Sequence, residues 1–324
     1  MTKRMQWLAA IALVVGGILL LCASSQAQAQ LKTNAQAQLK TNAPAQLNPK
    51  AAAPTRFTVV DEGTLGKPDV VLVPGLTSSR EVWAGEAKLL APNYRLHLVQ
   101  VNGFAGQPAG PNATGEILPA IVDELHAYCE TLNTKPVVIG HSLGGLLTLM
   151  LAAKYPSDAR KIVIVDSLPF LGMLFGPQLT PAMIKPQAEQ MRDKLQQQDA
   201  DKRKAGAKQT AEKLVLNPEK RPLVEANSED SDAHVVAEAT FEDLQTDLRS
   251  DLAEIKVPAL MLYPFDSTLK VSGAAATRDV DELYQGAYKP MPNVTTVRVD
   301  ASRHFIMLDQ PEKFDTLLEG FLKQ

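Results

Sequence analysis

At 324 residues, with 45% hydrophobic and 21% charged residues, the chain is long and apolar enough for one large buried core and too apolar for a disordered protein. Its 33 basic residues against 36 acidic ones, a formal charge of −3, leave no basic excess for nucleic acid or an anionic surface. With two cysteines, one of them in an N-terminal leader, a disulfide framework is excluded.

The chain starts with Lys3 and Arg4, continues with an apolar run from Trp7 to Leu21, and reaches the small-residue sites Ser25-Gln26-Ala27 and Ala27-Gln28-Ala29. That order describes a secretory signal peptide, residues 1–27, and a secreted or periplasmic protein. Left uncleaved, the run would tie the chain to a membrane, since it is near the shortest length that spans a bilayer. Cleavage removes Lys3, Arg4 and Cys22, shifts the net charge from −3 to about −5 and leaves Cys129. Residues 28–55 are repetitive: Ala27 to Asn34 recurs as Ala35 to Asn42, and a shorter copy runs from Ala43 to Asn48. Units this polar bury nothing and read as a flexible linker.

From Arg56 strand-like and helix-like segments alternate, which predicts an α/β fold with a mostly parallel sheet covered by helices on both faces. Val70–Val73 is the first buried strand, and Ser78 with Glu81 forms a capping box for a helix running through Trp83 to Leu90. A strand over Leu96–Val101 follows, then a helix over Ile121–Cys129 whose apolar face takes Cys129. Val137, Val138 and Ile139 lead into Gly140-His141-Ser142-Leu143-Gly144 and then, unbroken, into the helical run Leu146 to Leu151. Strand, sharp turn and helix with a serine at the apex form a nucleophile elbow, in which glycines two before and two after the serine let strand and helix pack closely. The strand Lys161–Val165 ends in Asp166. Residues 56–167 thus form the first part of the core, 168–250 an inserted helical cap and 251–324 the second part of the core. The cap opens with Leu168-Pro169-Phe170-Leu171-Gly172-Met173-Leu174-Phe175, whose Phe170, Met173 and Phe175 are the candidate wall of an acyl pocket.

A serine nucleophile needs a base and an acid that orients it. The strand Val257–Tyr263 ends at Pro264-Phe265-Asp266, and the strand Val294–Val299 leads through Asp300 to His304 on a loop before the terminal helix. Ser142, Asp266 and His304 are the candidate triad. Asp166, also at a strand end, is the alternative acid. His97, His126, His141 and His234 fall in strand, helix or elbow contexts that give them packing roles, and no histidine and cysteine group at metal-ligand spacing, so no metal and no cofactor is expected.

On Gly140-His141-Ser142-Leu143-Gly144-Gly145, Arg303-His304-Phe305 with Leu308-Asp309-Gln310-Pro311, and Val71-Leu72-Val73-Pro74-Gly75-Leu76, the chain resembles the α/β-hydrolase superfamily over about residues 56–324. Pro74 stands where that family usually carries histidine. The resemblance implies an oxyanion hole from the backbone amides of Leu76 and Leu143, each contributing about 3 kcal/mol or more toward the transition state. Relatives that open epoxides or displace halide carry aspartate at the elbow, and serine argues against both reactions. The expectation is a hydrolase of carboxylic esters acting on a small-molecule acyl substrate, with lactones and thioesters within range. A cofactor-free peroxidase or perhydrolase on the same triad, and a receptor that keeps the triad without turnover, are the alternatives.

Overall fold

The computed structural model describes residues 53–267 and 274–324, so the predicted signal peptide and nearly all of the repetitive linker lie outside the described residues. Among the described residues seven strands form one sheet: β1 (Phe57–Gly63), β2 (Asp69–Val73), β3 (Arg95–Val101), β4 (Val137–His141), β5 (Lys161–Val165), β6 (Ala259–Phe265) and β7 (Val294–Asp300). Their order is β1-β3-β2-β4-β5-β6-β7, and every pairing is parallel except β1 with β3. β2 and β4 are buried at every position, as parallel strands covered on both faces must be. Alternation then divides the core. Val71, Val73, Val138, Ile162 and Ile164 enter one apolar cluster and Val70, Leu72, Ile139, Val163 and Val165 the other.

The covering helices are α1 (Ala84–Leu90), α2 (Leu118–Cys129), α3 (Leu143–Lys154), α8 (Ala274–Tyr288), α9 (Ile306–Asp309) and α10 (Pro311–Leu322). Between β5 and β6 the chain forms four more, α4 (Pro181–Gln196), α5 (Ala200–Leu214), α6 (Arg221–Glu229) and α7 (Ala233–Gln245). The capping box expected at Ser78 and Glu81 does not form. Ser78 is buried with its hydroxyl on the Leu76 carbonyl, and the chain passes through a 3₁₀ turn, Arg80–Trp83, before α1 begins.

The approach of α3 to the sheet fixes the centre of the molecule. A Cβ at Gly140 would lie 2.1 Å from the Gly144 carbonyl oxygen, and one at Gly144 would lie 2.3 Å from that of Val73. Neither obstacle is a movable side chain. Gly144→Ala is therefore expected to destabilise the fold by about 1–3 kcal/mol or more, as backbone must shift. Gly320→Ala, in α10 with open space around it, should stabilise by about 0.5–1 kcal/mol. Urea unfolding of both variants checks the contrast, and equal effects would refute it.

Glu86 on α1 is 2% exposed, and its burial pushes the carboxyl up to about 8, with the nearby Asp315 charge acting the same way. A folded-state value above the unfolded one means that the stability is fully present below about 4.5 and lost as pH rises toward about 8. Glu86→Gln removes this loss. Its unfolding free energy should exceed the parent's by on the order of 1–3 kcal/mol at pH 8 and by little at pH 5, and a gain independent of pH would contradict the assignment.

Candidate active site

Ser142 sits between β4 and α3 with φ 55° and ψ −121°, a conformation that side chains rarely adopt and that the surrounding sheet imposes. Its amide donates to the Val165 carbonyl at 2.9 Å, and its own carbonyl accepts from Gly145 and Leu146. These bonds lock the turn and leave the half-buried side chain at the carboxyl edge of the sheet. Among the described residues the amides of Leu76 and Leu143 have no hydrogen-bonding partner. Gly75 brings the β2 loop against the elbow, so close that a Cβ there would lie 2.9 Å from the Ser142 Cβ.

His304 follows β7 on the predicted loop, and its Nδ1 meets the Asp166 carboxylate at 2.5 Å. The expectation that Asp266 orients it is therefore corrected. Asp266 is buried at the end of β6, but its carboxylate accepts from Arg303 Nε at 2.7 Å, the residue immediately before His304. Asp166 stands at the end of β5 with φ 45°, and Tyr284 of α8 donates its hydroxyl to the second Asp166 oxygen. Burial and the Asp166 charge both push Tyr284 well above the usual phenol range, so it stays a donor. Behind it Tyr288 donates to the Ser167 carbonyl at 2.9 Å.

His141, read from the sequence as a packing residue, fixes the histidine loop. Its ring is fully buried and its Nε2 lies 3.0 Å from the His304 carbonyl oxygen, which can only accept. Nε2 carries the proton, and Nδ1 is left without a partner. Burial, with His304 adding to it, holds this imidazole well below its ordinary value and therefore neutral. A second tie runs through Asp309, whose carboxylate accepts from the Arg303 amide at 2.8 Å and from the Leu216 and Asn217 amides at 2.9 Å.

Ser142, His304, Asp166, Asp266 and Leu76 all border one cavity of about 560 Å³ beneath the inserted helices. The predicted wall is corrected as well. Phe170 is fully buried under the Arg249 guanidinium, Met173 packs into the core and Phe175 is exposed, and none of the three faces the cavity. Leu168, Leu171 and Leu174 of the same segment do. The segment contains a 3₁₀ turn, Leu171–Leu174, in which side chains three apart share a face, so the lining set is displaced by one residue from the predicted one. From α7 the cavity receives Ala233, Val236, Thr240 and Asp243. Tyr284 and Asp243 were not foreseen. For Tyr284 the pattern Tyr284-Tyr288, two aromatics one helical turn apart, was the available signal.

The remaining candidates lie outside the cavity. His97 bridges Asp61 and Asp69, and Cys129 is buried, its thiol pushed up to about 12 by burial and the Asp158 charge. His126, Glu130 and Asp158 place ligand atoms within 4.8 Å of one another, a spacing that a metal ion could use. His126 Nδ1 is, however, already bonded to Asp158 at 2.8 Å, and its ring stacks on Tyr155.

Comparison with known proteins matches this architecture. The pimeloyl-[acyl-carrier protein] methyl ester esterase of Aeromonas hydrophila is 26% identical over 270 residues, covering 79% of this chain and 95% of that protein. An esterase from Exiguobacterium antarcticum superposes with a TM-score of 0.67 at 20% identity, covering 85% of this chain and 98% of that one. A hydrolase from Pseudomonas aeruginosa gives 0.66 at 19% identity, with 83% and 94% covered. The model of the alpha/beta hydrolase family matches residues 70–316, a stretch that contains the elbow, the inserted helices and the histidine loop, and the chain belongs to that family.

Proposed function

We propose that the protein is a serine hydrolase of carboxylic esters that works through an acyl-enzyme on Ser142. The observation that carries this reading is the bond between His304 and Asp166 at the border of the cavity that also exposes Ser142. Ser142 Oγ attacks the acyl carbon while His304 Nε2 takes its proton, and the Asp166 carboxylate steadies the imidazolium through Nδ1. The unpartnered amides of Leu76 and Leu143 receive the oxyanion. His304 then passes the proton to the leaving alcohol, and water repeats the sequence on the acyl-enzyme. Lactones and thioesters present the same acyl carbon and fall within the same chemistry. The ester esterases among the relatives support the substrate class. We infer from the signal-like residues 1–27 that this activity is exercised outside the cytoplasm.

Ser142→Ala should abolish covalent labelling by a fluorophosphonate probe while circular dichroism stays native; undiminished labelling would refute the nucleophile. Asp166→Asn should lower kcat by about three to four orders of magnitude with little change in KM, because the imidazolium loses its partner. Asp266→Asn leaves that pair in place and should cost less than about tenfold, a charge-assisted bond to Arg303 being what it removes. The reverse ranking would restore Asp266 as the orienting acid.

The wall is tested with acetyl, butyryl and octanoyl esters. Leu171→Ala and Leu174→Ala should shift the preferred chain length, at about 1–3 kcal/mol per methylene or two of lost contact. Phe170→Ala should lower stability by about 3–5 kcal/mol and leave the preference where it was. A shift with Phe170→Ala alone would put the wall back on the other face of the turn.

A further inference from the structure

α7 crosses the cavity with one face, on which Ala233, Val236, Thr240 and Asp243 succeed one another at helical spacing. The first two are apolar, and the Thr240 hydroxyl is spent on the Val236 carbonyl at 2.7 Å. Asp243 is thus the polar group that this face has left to offer. Its rotation about the helix axis is fixed from behind, because the adjacent Glu242 accepts from the amides of Ile117 and Leu118 at 2.8 and 2.7 Å where α2 begins. The Asp243 carboxyl has no hydrogen-bonding partner among the described residues, and it borders the same cavity as Ser142 and His304. Half-buried and without a protein partner, this carboxyl presents open acceptor positions to a ligand in the cavity.

We propose that Asp243 is a specificity residue: its carboxyl binds a hydroxyl group that the substrate carries close to the scissile ester, so that hydroxylated esters are selected over their plain counterparts. The assignment rests on the ester-hydrolase reading above. The position follows from the shared cavity, since a group held by Asp243 stands in the same space that Ser142 and His304 border. The choice of hydroxyl over ammonium follows from the charges around the same cavity. Arg203 and Lys213 border it with no carboxylate paired to either among the described residues, while Asp166 and Asp266 are already engaged by His304 and Arg303. A cationic substrate meets that positive lining, and a neutral donor does not. Burial pushes the Asp243 carboxyl up to about 7, the proximity of His304 opposing it, so near neutral pH it both accepts and donates.

The test compares kcat/KM within two isosteric pairs, methyl 3-hydroxybutyrate with methyl 3-methylbutyrate and 2-hydroxyethyl butyrate with propyl butyrate, for the parent, Asp243→Asn and Asp243→Leu. A hydrogen bond to such a carboxyl corresponds to roughly ten- to hundredfold, so the parent should favour the hydroxylated member of at least one pair by about tenfold or more. Asp243→Leu should bring that ratio to within about threefold of unity, and Asp243→Asn, which still forms hydrogen bonds and keeps the side chain's shape, should fall between. If the leucine variant does not fold, a drop of at least about threefold in the asparagine ratio carries the test. A parent indifferent in both pairs, or a preference that survives both substitutions, overturns the assignment while leaving ester hydrolysis intact. A uniform loss on both members with an unchanged ratio overturns it too, since Asp243 would then act through His304. A parent that cleaves none of the four esters overturns the ester reading and this one with it.

Discussion

The active arrangement depends on how near helix α3 can come to the ends of β2 and β4. Gly140 and Gly144 allow contacts that a single methyl group would forbid, and the obstacles are backbone atoms of the neighbouring strand and helix. That approach holds Ser142 in its strained conformation, and it leaves the Leu143 amide free at the start of the helix, where the positive end of the peptide dipoles lies. The stability of a sheet buried on both faces is what makes the strain affordable. Elbow, unpartnered amides and sheet core are therefore one structure, and a substitution that loosens the packing reaches Ser142 without touching it.

Around this fixed serine the other groups arrive from loops at the carboxyl edge of the parallel strands, the edge where open sheets of this kind collect their ligands. β5 brings Asp166, β7 brings His304 and α8 brings Tyr284 to the far oxygen of the carboxylate. His141 and Asp309 hold the histidine loop from below and from the side, the first as a neutral donor and the second as a threefold acceptor. The imidazole is thereby restrained through its ring, its own carbonyl and the amide of its neighbour.

The sequence made Ser142 and His304 legible because each is announced by its immediate surroundings: glycines and a buried strand for the serine, a strand end and a helix start for the histidine. The mostly parallel sheet covered by helices followed from the alternation of the same local patterns. The acid was not legible in that way. Asp166 and Asp266 both end buried parallel strands, and what separates them is the side chain one residue before His304. Arg303 claims Asp266 and leaves Asp166 to the imidazole, a choice made by contacts 37 and 138 residues apart along the chain. The wall at the start of the inserted segment failed for a different reason. Large apolar residues occupy nearly every position there, and without the 3₁₀ period the sequence does not say which of two faces is turned inward. Asp243 gave no signal, since an aspartate near the end of an amphipathic helix reads as a solvated residue.

Asp166 and the leucines of the wall belong to one short stretch of chain, with Leu168 two residues and Leu174 eight residues beyond the acid. The proposed orienting group and the proposed acyl wall are thus covalently in series, whereas in an arrangement built on Asp266 they would stand on strands separated by the whole inserted segment. A recombination that exchanged residues 166 to 174 between relatives would transfer the acid and its acyl preference as one cassette. An exchange that began after Asp166 would graft a foreign wall onto a carboxylate set for another.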